Sequence, residues 1–160
     1  MGFRVGYGYD VHRLASGEIL WLGGVRIPFE KGTVAHSDGD VLIHAICDAL
    51  LGAAGLRDIG YHFPDHKEEF KNISSLVLLG RTVELLQNEG LTLVNIDATV
   101  CLQAPRLQAY IPEMQKTMAA GMGVSPGQLS VKATTTEKLG FEGRGEGVSA
   151  HAVALIETTD

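Results

Sequence analysis

Only two cysteines occur among the 160 residues, and that shortage closes off a class of protein. Two thiols, Cys47 and Cys101, are too few for the disulfide framework that staples small secreted domains; both lie in apolar runs, so buried free thiols in a reducing compartment are expected. No uninterrupted apolar run of roughly eighteen residues is present, so a membrane span is not expected. The opening residues do not read as a signal or transit peptide, and Met1-Gly2 lacks the Ser or Thr at position 6 that myristoylation prefers. A soluble, cytoplasmic protein is the expectation. Basic residues are also scarce, 13 against 19 acidic ones for a net charge of -6, which argues against a general nucleic-acid binder. An anionic substrate would therefore need local cations, such as metal ions, to offset that field.

Repeats, low-complexity tracts and polar linkers are missing as well, so residues 1–160 read as one domain, with 45% hydrophobic residues to build its core. Strand patterns cover residues 3–12, 18–22 and 25–29, and a helix is expected over 38–55, with Ser37 and Asp40 at capping-box spacing. A second helix at 73–89 ends at Gly90. Residues 93–102 alternate as a half-buried strand should, Val94, Ile96, Ala98, Val100 and Leu102 against Asn95, Asp97 and Thr99. A further helix starts near Pro112 and stops at Gly121 or Gly123, with Met114, Met118 and Met122 as a core stripe. Strands at 129–134 and 148–157 complete an α+β sandwich, a mainly β sheet covered on one side by helices.

Chemistry concentrates first at Asp10-Val11-His12. Residues two apart on an extended segment project to one side, so Asp10 and His12 can face one point. With His44 contributed from the helix, three ligands leave one tetrahedral position open, which is the layout of a catalytic rather than a structural zinc. Asp48, one turn beyond His44, is a candidate partner for its ring. A buried helical His satisfied by a neighbouring Asp remains the plain alternative. Other nucleophilic chemistry lacks support: no Ser-His-Asp or Cys-His arrangement stands out, and Gly143-Arg144-Gly145-Glu146-Gly147 has the wrong glycine spacing for a dinucleotide fingerprint.

Four segments then occur in register along the chain: Tyr9-Asp10-Val11-His12, Ala35-His36-Ser37-Asp38-Gly39-Asp40, residues 132–141 containing Thr134-Thr135-Thr136-Glu137, and Gly143-Arg144-Gly145-Glu146-Gly147. Together they resemble the 2-C-methyl-D-erythritol 2,4-cyclodiphosphate synthase family of non-mevalonate isoprenoid biosynthesis, over nearly the whole length. The resemblance implies a homotrimer with sites between subunits. It also implies intramolecular phosphoryl transfer on 4-diphosphocytidyl-2-C-methyl-D-erythritol 2-phosphate with loss of CMP, and a Zn2+ ion aided by a second divalent cation, Mg2+ or Mn2+. Gly6 and Gly8 on one face of the first strand are compatible with close subunit approach, and equally with a bulge.

Residue by residue, the resemblance gives Asp10, His12 and His44 to zinc and Glu137 to the second ion. His36 and Thr135 become donors to phosphate oxygens in the transition state, with Ser37, Thr134 and Thr136 beside them. Asp58, Ile59, Gly60, Phe63, Pro64, Asp65, His66 and Lys67 match the loop for ribose and methylerythritol hydroxyls, and His62 in the variable stretch beside them is not expected to be a ligand. Leu102, Gln103, Ala104, Pro105, Arg106, Leu107 and Gln108 match the cytidine pocket, with Arg106 where many relatives carry Lys. Phe141, Arg144 and Tyr9, the last where Phe is common, would face a central trimer cavity proposed to take an isoprenoid diphosphate.

Plainer readings of the same residues stay open. Thr134 and Glu137 have capping-box spacing, the threonine run could be a β-branched strand end, and His36 could serve only to place its loop. Two other functions compete: a metal-dependent phosphohydrolase on the same three ligands, and a noncatalytic trimer binding an isoprenoid diphosphate.

Overall fold

The computed structural model describes residues 2–159. Strand β1 (Phe3–Ser16) is longer than the alternating pattern suggested, and β2 (Leu20–Leu22) and β3 (Val25–Ile27) form a separate two-stranded ribbon. The very short β4 (Lys31–Thr33), unanticipated, pairs with the end of β1. Helix α1 (Val41–Ala54) is followed by the single turn α2 (Ile59–His62), then α3 (Ser75–Asn88), β5 (Leu91–Cys101), α4 (Ile111–Met122), β6 (Leu129–Thr134), the short α5 (Gly140–Gly143) and β7 (Gly147–Thr158). The main sheet has the order β4-β1-β7-β5-β6, antiparallel except for the parallel β5–β6 pair. Helices α1, α3 and α4 pack on one side. This is the α+β arrangement of a mainly β sheet with helices that the sequence leads one to expect.

Why α1 lies flat against β1 is legible in small residues. A Cβ at Gly6 would fall on the backbone of Ala49, and one at Gly8 on the carbonyl of Ala45. The glycines thus admit the chain's own helix, presented through Ala45, Ala49 and Ala53 at four-residue spacing; the approach needs neither a second subunit nor a bulge at these positions. Below this seam Leu42, Ile43, Ile46 and Leu50 are fully buried with Ile96, Val100, Ala150 and Ile156 of the sheet. Met114, Met118 and Met122 fill the gap beneath α4, as the stripe suggested. Cys47 is buried and Cys101 partly so, and neither is in a disulfide.

Three local readings change. Helix α1 is capped by Asp40, not Ser37: the Asp40 carboxylate accepts from the N–H of Ile43 at 3.0 Å and also from Gly23 and Gly24 at 3.0 and 2.7 Å, pinning the β2–β3 turn to the helix start. Burial holds the Asp40 carboxyl above its usual range although these donors oppose the shift. Alternation in β5 holds at Ile96, Ala98 and Val100 but breaks at Val94, where a register shift between Leu93 and Asn95 inserts a residue. Of the two candidate stops for α4, Gly123 is used, in the left-handed conformation at φ 69.

The side of the sheet without helices carries Phe3, Val5, Tyr7, Tyr9 and Val11 from β1 and Val153 from β7, all exposed. His151 of β7 sits among them, its Nδ1 2.7 Å from the Tyr7 hydroxyl and its ring 5.0 Å from that of Tyr9. Among the described residues no helix is long and apolar enough to cross a membrane.

Candidate active site

Gly6 and Gly8 share the helix-facing side of β1 with Asp10 and His12, so the strand that lets α1 in also delivers two polar side chains to its first turn. His44, on that turn, meets them. Asp10 Oδ2 lies 2.9 Å from His12 Nε2 and 3.1 Å from His44 Nδ1, and the two imidazole nitrogens are 3.1 Å apart. Ligand atoms around a tetrahedral zinc with bonds of about 2.0–2.1 Å stand about 3.3 Å from one another, so the triangle has nearly the size such an ion requires. One carboxylate and two imidazoles are also the right donor chemistry, and among the described residues this trio is the group of its kind able to hold a metal ion.

The electrostatics agree with a site built for positive charge. Burial alone would raise the Asp10 pKa, but hydrogen bonds from His12 and His44, and their charge, bring it down to about 2. Burial likewise opposes charge on His44, yet the hydrogen bond and charge of Asp10 outweigh it and move its pKa up. The far nitrogen of His44, Nε2, is 2.9 Å from Ser75 Oγ and 3.3 Å from Ser37 Oγ. Asp48 does not reach that ring's hydrogen bonds: its Oδ1 accepts from the N–H of Ile59 at 2.9 Å and so ties α2 to α1. The partner of His44 is Ser75, a residue with no periodic or motif signal in the sequence.

The trio forms the floor of a cavity of about 440 Å³ that also gathers His36, Ser37, Ile59, Gly60, Phe63 and Asp65, all expected there. Phe70, Ile73 and Leu78 supply an apolar wall that motif reading missed. Asp58 stands at the N-cap of α2, accepting from the N–H of Tyr61 at 2.9 Å, which occupies one of its oxygens. Pro64, His66 and Lys67 do not line the cavity, but the Lys67 carbonyl is 3.2 Å from His36 Nε2 and orients that ring. His62 Nε2 is 2.7 Å from the Leu56 carbonyl, outside the trio.

A second cavity of about 260 Å³ is formed by Leu102, Gln103, Pro105, Arg106, Leu107 and Gln108 with Thr134 and Thr135. The Ala104–Pro105 peptide bond between them is cis. The capping-box reading of Thr134 and Glu137 fails: no helix starts there, Thr134 donates to the Thr135 carbonyl, and Glu137 with Lys138 turns through the left-handed region at φ 55 and 64. That turn is pinned by the N–H of Lys138 donating to Gln103 Oε1 at 3.2 Å, by the N–H of Glu137 donating to Thr135 Oγ1, and by Thr136 Oγ1 donating to the Leu139 carbonyl at 2.6 Å. Glu137 itself is exposed and lines neither cavity. Arg144 is elsewhere, paired with Glu146 at 2.9 Å beside Arg13 and Lys31, and Phe141 packs near Gly147. Many of the expected site residues therefore line one or other of two separate cavities, while Asp58, Pro64, His66, Lys67, Ala104, Thr136, Glu137, Phe141 and Arg144 line neither.

Comparison with known proteins gives this division a context. The family model described as the YgbB family matches residues 3–157. The 2-C-methyl-D-erythritol 2,4-cyclodiphosphate synthase of Bacteroides thetaiotaomicron is 60% identical over 157 residues, 98% of this chain and 99% of that protein. Its counterpart from Pelotomaculum thermopropionicum is 58% identical over 156 residues, 98% of this chain and 96% of that protein. Among solved structures, a CDP complex of IspF from Plasmodium falciparum superposes with a TM-score of 0.87 at 31% identity, covering 99% of this chain and 98% of that one. The bifunctional IspDF of Campylobacter jejuni gives 0.95 at 42% identity, covering 99% of this chain and 43% of that longer protein. Fold, full-length identity and the Asp-His-His triangle at the meeting of β1 and α1 converge on one result: the chain belongs to the YgbB family, that of 2-C-methyl-D-erythritol 2,4-cyclodiphosphate synthase.

Proposed function

We propose that Asp10, His12 and His44 hold a zinc ion for the reaction of this family, and that the two cavities are the two halves of one active site completed between subunits. The chain converts 4-diphosphocytidyl-2-C-methyl-D-erythritol 2-phosphate to 2-C-methyl-D-erythritol 2,4-cyclodiphosphate in isoprenoid biosynthesis, with release of CMP. In that reaction the 2-phosphate attacks the β-phosphorus of the diphosphate, so one anion must be brought against another. The demands are positioning and charge neutralisation, which suits a site without a protein nucleophile. Bound there, zinc would supply Lewis acidity toward a phosphate oxygen.

The chain's own groups do the rest. Thr135 donates to phosphate oxygens as charge moves from the attacked phosphorus to the departing CMP, and His36, whose Nε2–H is held by the Lys67 carbonyl, donates there through Nδ1 when both its ring nitrogens carry protons. Ile59, Gly60, Phe63 and Asp65 enclose the methylerythritol end, and the 102–108 loop receives cytidine. Support for the nucleotide half comes from the solved relatives whose descriptions include bound CDP. Glu137, held out by its left-handed turn, offers one carboxylate to a second ion, Mg2+ or Mn2+, which needs little more from protein when phosphates and water complete its shell. The open apolar face of β1 supports a homotrimer, since so many exposed aromatic and aliphatic side chains on one sheet face favour burial against copies of itself. Tyr9 lies on that face, and an isoprenoid diphosphate would enter the cavity the copies enclose near Phe141 and Arg144. The unpaired Cys47 and Cys101 suit the cytoplasm, with residues 1–160 acting as one catalytic domain.

The observation that carries the metal assignment is the Asp10–His12–His44 triangle at 2.9–3.1 Å. Phosphorus NMR of the product, alongside zinc content by mass spectrometry, tests it. Cyclic diphosphate and CMP formed in proportion to bound zinc are expected. Inorganic phosphate as the product would identify a hydrolase, and full turnover by zinc-free protein would remove the metal from the mechanism.

A further inference from the structure

Behind His44 lies a chain of hydrogen bonds that runs in one direction only. Ser75, the first residue of α3, is fully buried, with its Oγ 2.9 Å from His44 Nε2. The same hydroxyl reaches the Asp38 carboxylate at Oδ1, whose other oxygen accepts from the N–H of Ser75 at 2.8 Å. Oδ1 also takes the N–H of Asp40 at 3.1 Å. An ionised carboxylate can only accept, so the single Ser75 hydroxyl proton goes to Asp38 and the serine turns its lone pairs toward the imidazole. His44 Nε2 is then the donor to Ser75, so when the ring is neutral, as metal binding requires, the lone pair is on Nδ1, the nitrogen that faces Asp10 and His12. Ser37 Oγ, which accepts from the N–H of Gly39 at 3.2 Å, lies 3.3 Å from the same Nε2, a longer contact than that of Ser75.

We propose that Ser75 and Asp38 are positioning residues that set the tautomer and ring orientation of His44, so that Nδ1 and not Nε2 is the nitrogen that binds metal. Serine here does what a carboxylate or backbone carbonyl commonly does behind a metal-bound histidine, with Asp38 one step farther back. Because the Asp38 carboxylate also holds the N–H groups of Ser75 and Asp40, it locks the start of α3 to the cap of α1, and the His44 ring is fixed between the two helices. The inference rests on the assignment of metal to Asp10, His12 and His44.

The test keeps those two readings apart. Zinc affinity is measured by competition with a chromophoric chelator on the wild type, Ser75→Ala, Asp38→Asn and, as the control for the metal site, Asp10→Ala. Ser75→Ala and Asp38→Asn are expected to bind zinc about 10- to 100-fold more weakly. In zinc-loaded, 15N-labelled wild type, long-range proton–nitrogen correlation is expected to show His44 Nε2 carrying a proton and Nδ1 bound to metal. That measurement needs no variant to fold, and a coordinated Nε2 overturns the proposal. If Asp10→Ala binds zinc as the wild type does, the metal assignment itself falls, and this proposal with it. If Asp10→Ala loses zinc while Ser75→Ala and Asp38→Asn stay within twofold of wild type, the metal assignment stands and the positioning role is wrong.

Discussion

The two cavities are built on opposite plans. Around Asp10, His12 and His44 five polar contacts of 2.9–3.3 Å tie the three side chains to one another and to Ser37 and Ser75, side chains arrive from a long strand and a long helix, and the ring of His44 is buried. The 102–108 and 134–138 loops instead present exposed Thr134, Thr135 and Glu137 on a turn held by a few bonds, with Glu137 and Lys138 in a conformation that L-residues disfavour. A metal site needs donors fixed before the ion arrives. If the 102–108 loop meets a nucleotide across a subunit boundary, as proposed above, it is finished by what it binds, and a half-made look within one chain is what that reading expects.

The sharpest break in that comparison is His44→Ala. Loss of one of three protein ligands is expected to empty the site of zinc and lower turnover about 10³-fold or more, several kcal/mol of transition-state stabilisation at 1.36 kcal/mol per factor of ten. Zinc content and turnover measured on the same folded preparation check it; retention of both would take His44 out of the chemistry.

Next comes complementation between the halves. Asp10→Ala destroys one half and Pro105→Gly loosens the other, and each protein is expected to be inactive alone. If the chain forms the proposed trimer with its sites between subunits, about a quarter of the interfaces in trimers refolded from equal amounts pair an intact metal half with an intact loop half, so roughly that share of wild-type turnover should return. Mass spectrometry verifies the mixing, and verified mixed trimers without turnover would place the whole site within one chain.

Glu137→Gln should leave zinc in place while raising by about tenfold or more the Mg2+ or Mn2+ concentration needed for half-maximal turnover, a change of about 1.4 kcal/mol per factor of ten. An unchanged titration with either ion would leave Glu137 without a metal role.

The smallest effect concerns the metal-free protein and has a defined sign. Asp10 has its pKa lowered from 3.8 to about 2, so its pairing contributes stability above pH 4 that is lost as the pH falls toward 2, roughly 2 kcal/mol in all. His44 has its pKa raised above 6.5, so its share is full below that pH and is lost as the pH climbs through the raised value. Urea midpoints of metal-free wild type and Asp10→Asn should therefore differ most between about pH 4 and 6.5 and converge on either side. A difference that does not vary with pH would mean that the pairing is not what stabilises the cluster.

How much could be read in advance follows the same division. Asp10 and His12 declared themselves because a two-residue step on a strand is a local signal, and His44 because it lies in a long apolar helix. Ser75 gave none: it stands 31 residues from His44, and only the packing of α3 on α1 joins them. Asp40 was mistaken for the far end of a capping box because its competing partners, the N–H groups of Gly23 and Gly24, come from a distant turn. Strand β4 escaped because three residues containing a glycine carry no period. At Glu137 the spacing favoured a helix, whereas contacts with Gln103 and Thr135 hold the turn the other way.

The seam at Gly8 has one more consequence. Since the Ala45 carbonyl lies where a Cβ at Gly8 would be, the gap between strand and helix, and with it the reach from Asp10 and His12 to His44, is gauged by a methyl group that is not there. Adding it in Gly8→Ala would push α1 outward at Ala45, next to His44, and widen the triangle, so if the centre holds zinc as proposed, its preference should drift toward a larger cation such as cadmium. Selectivity at this centre would then be tunable from a residue that binds nothing.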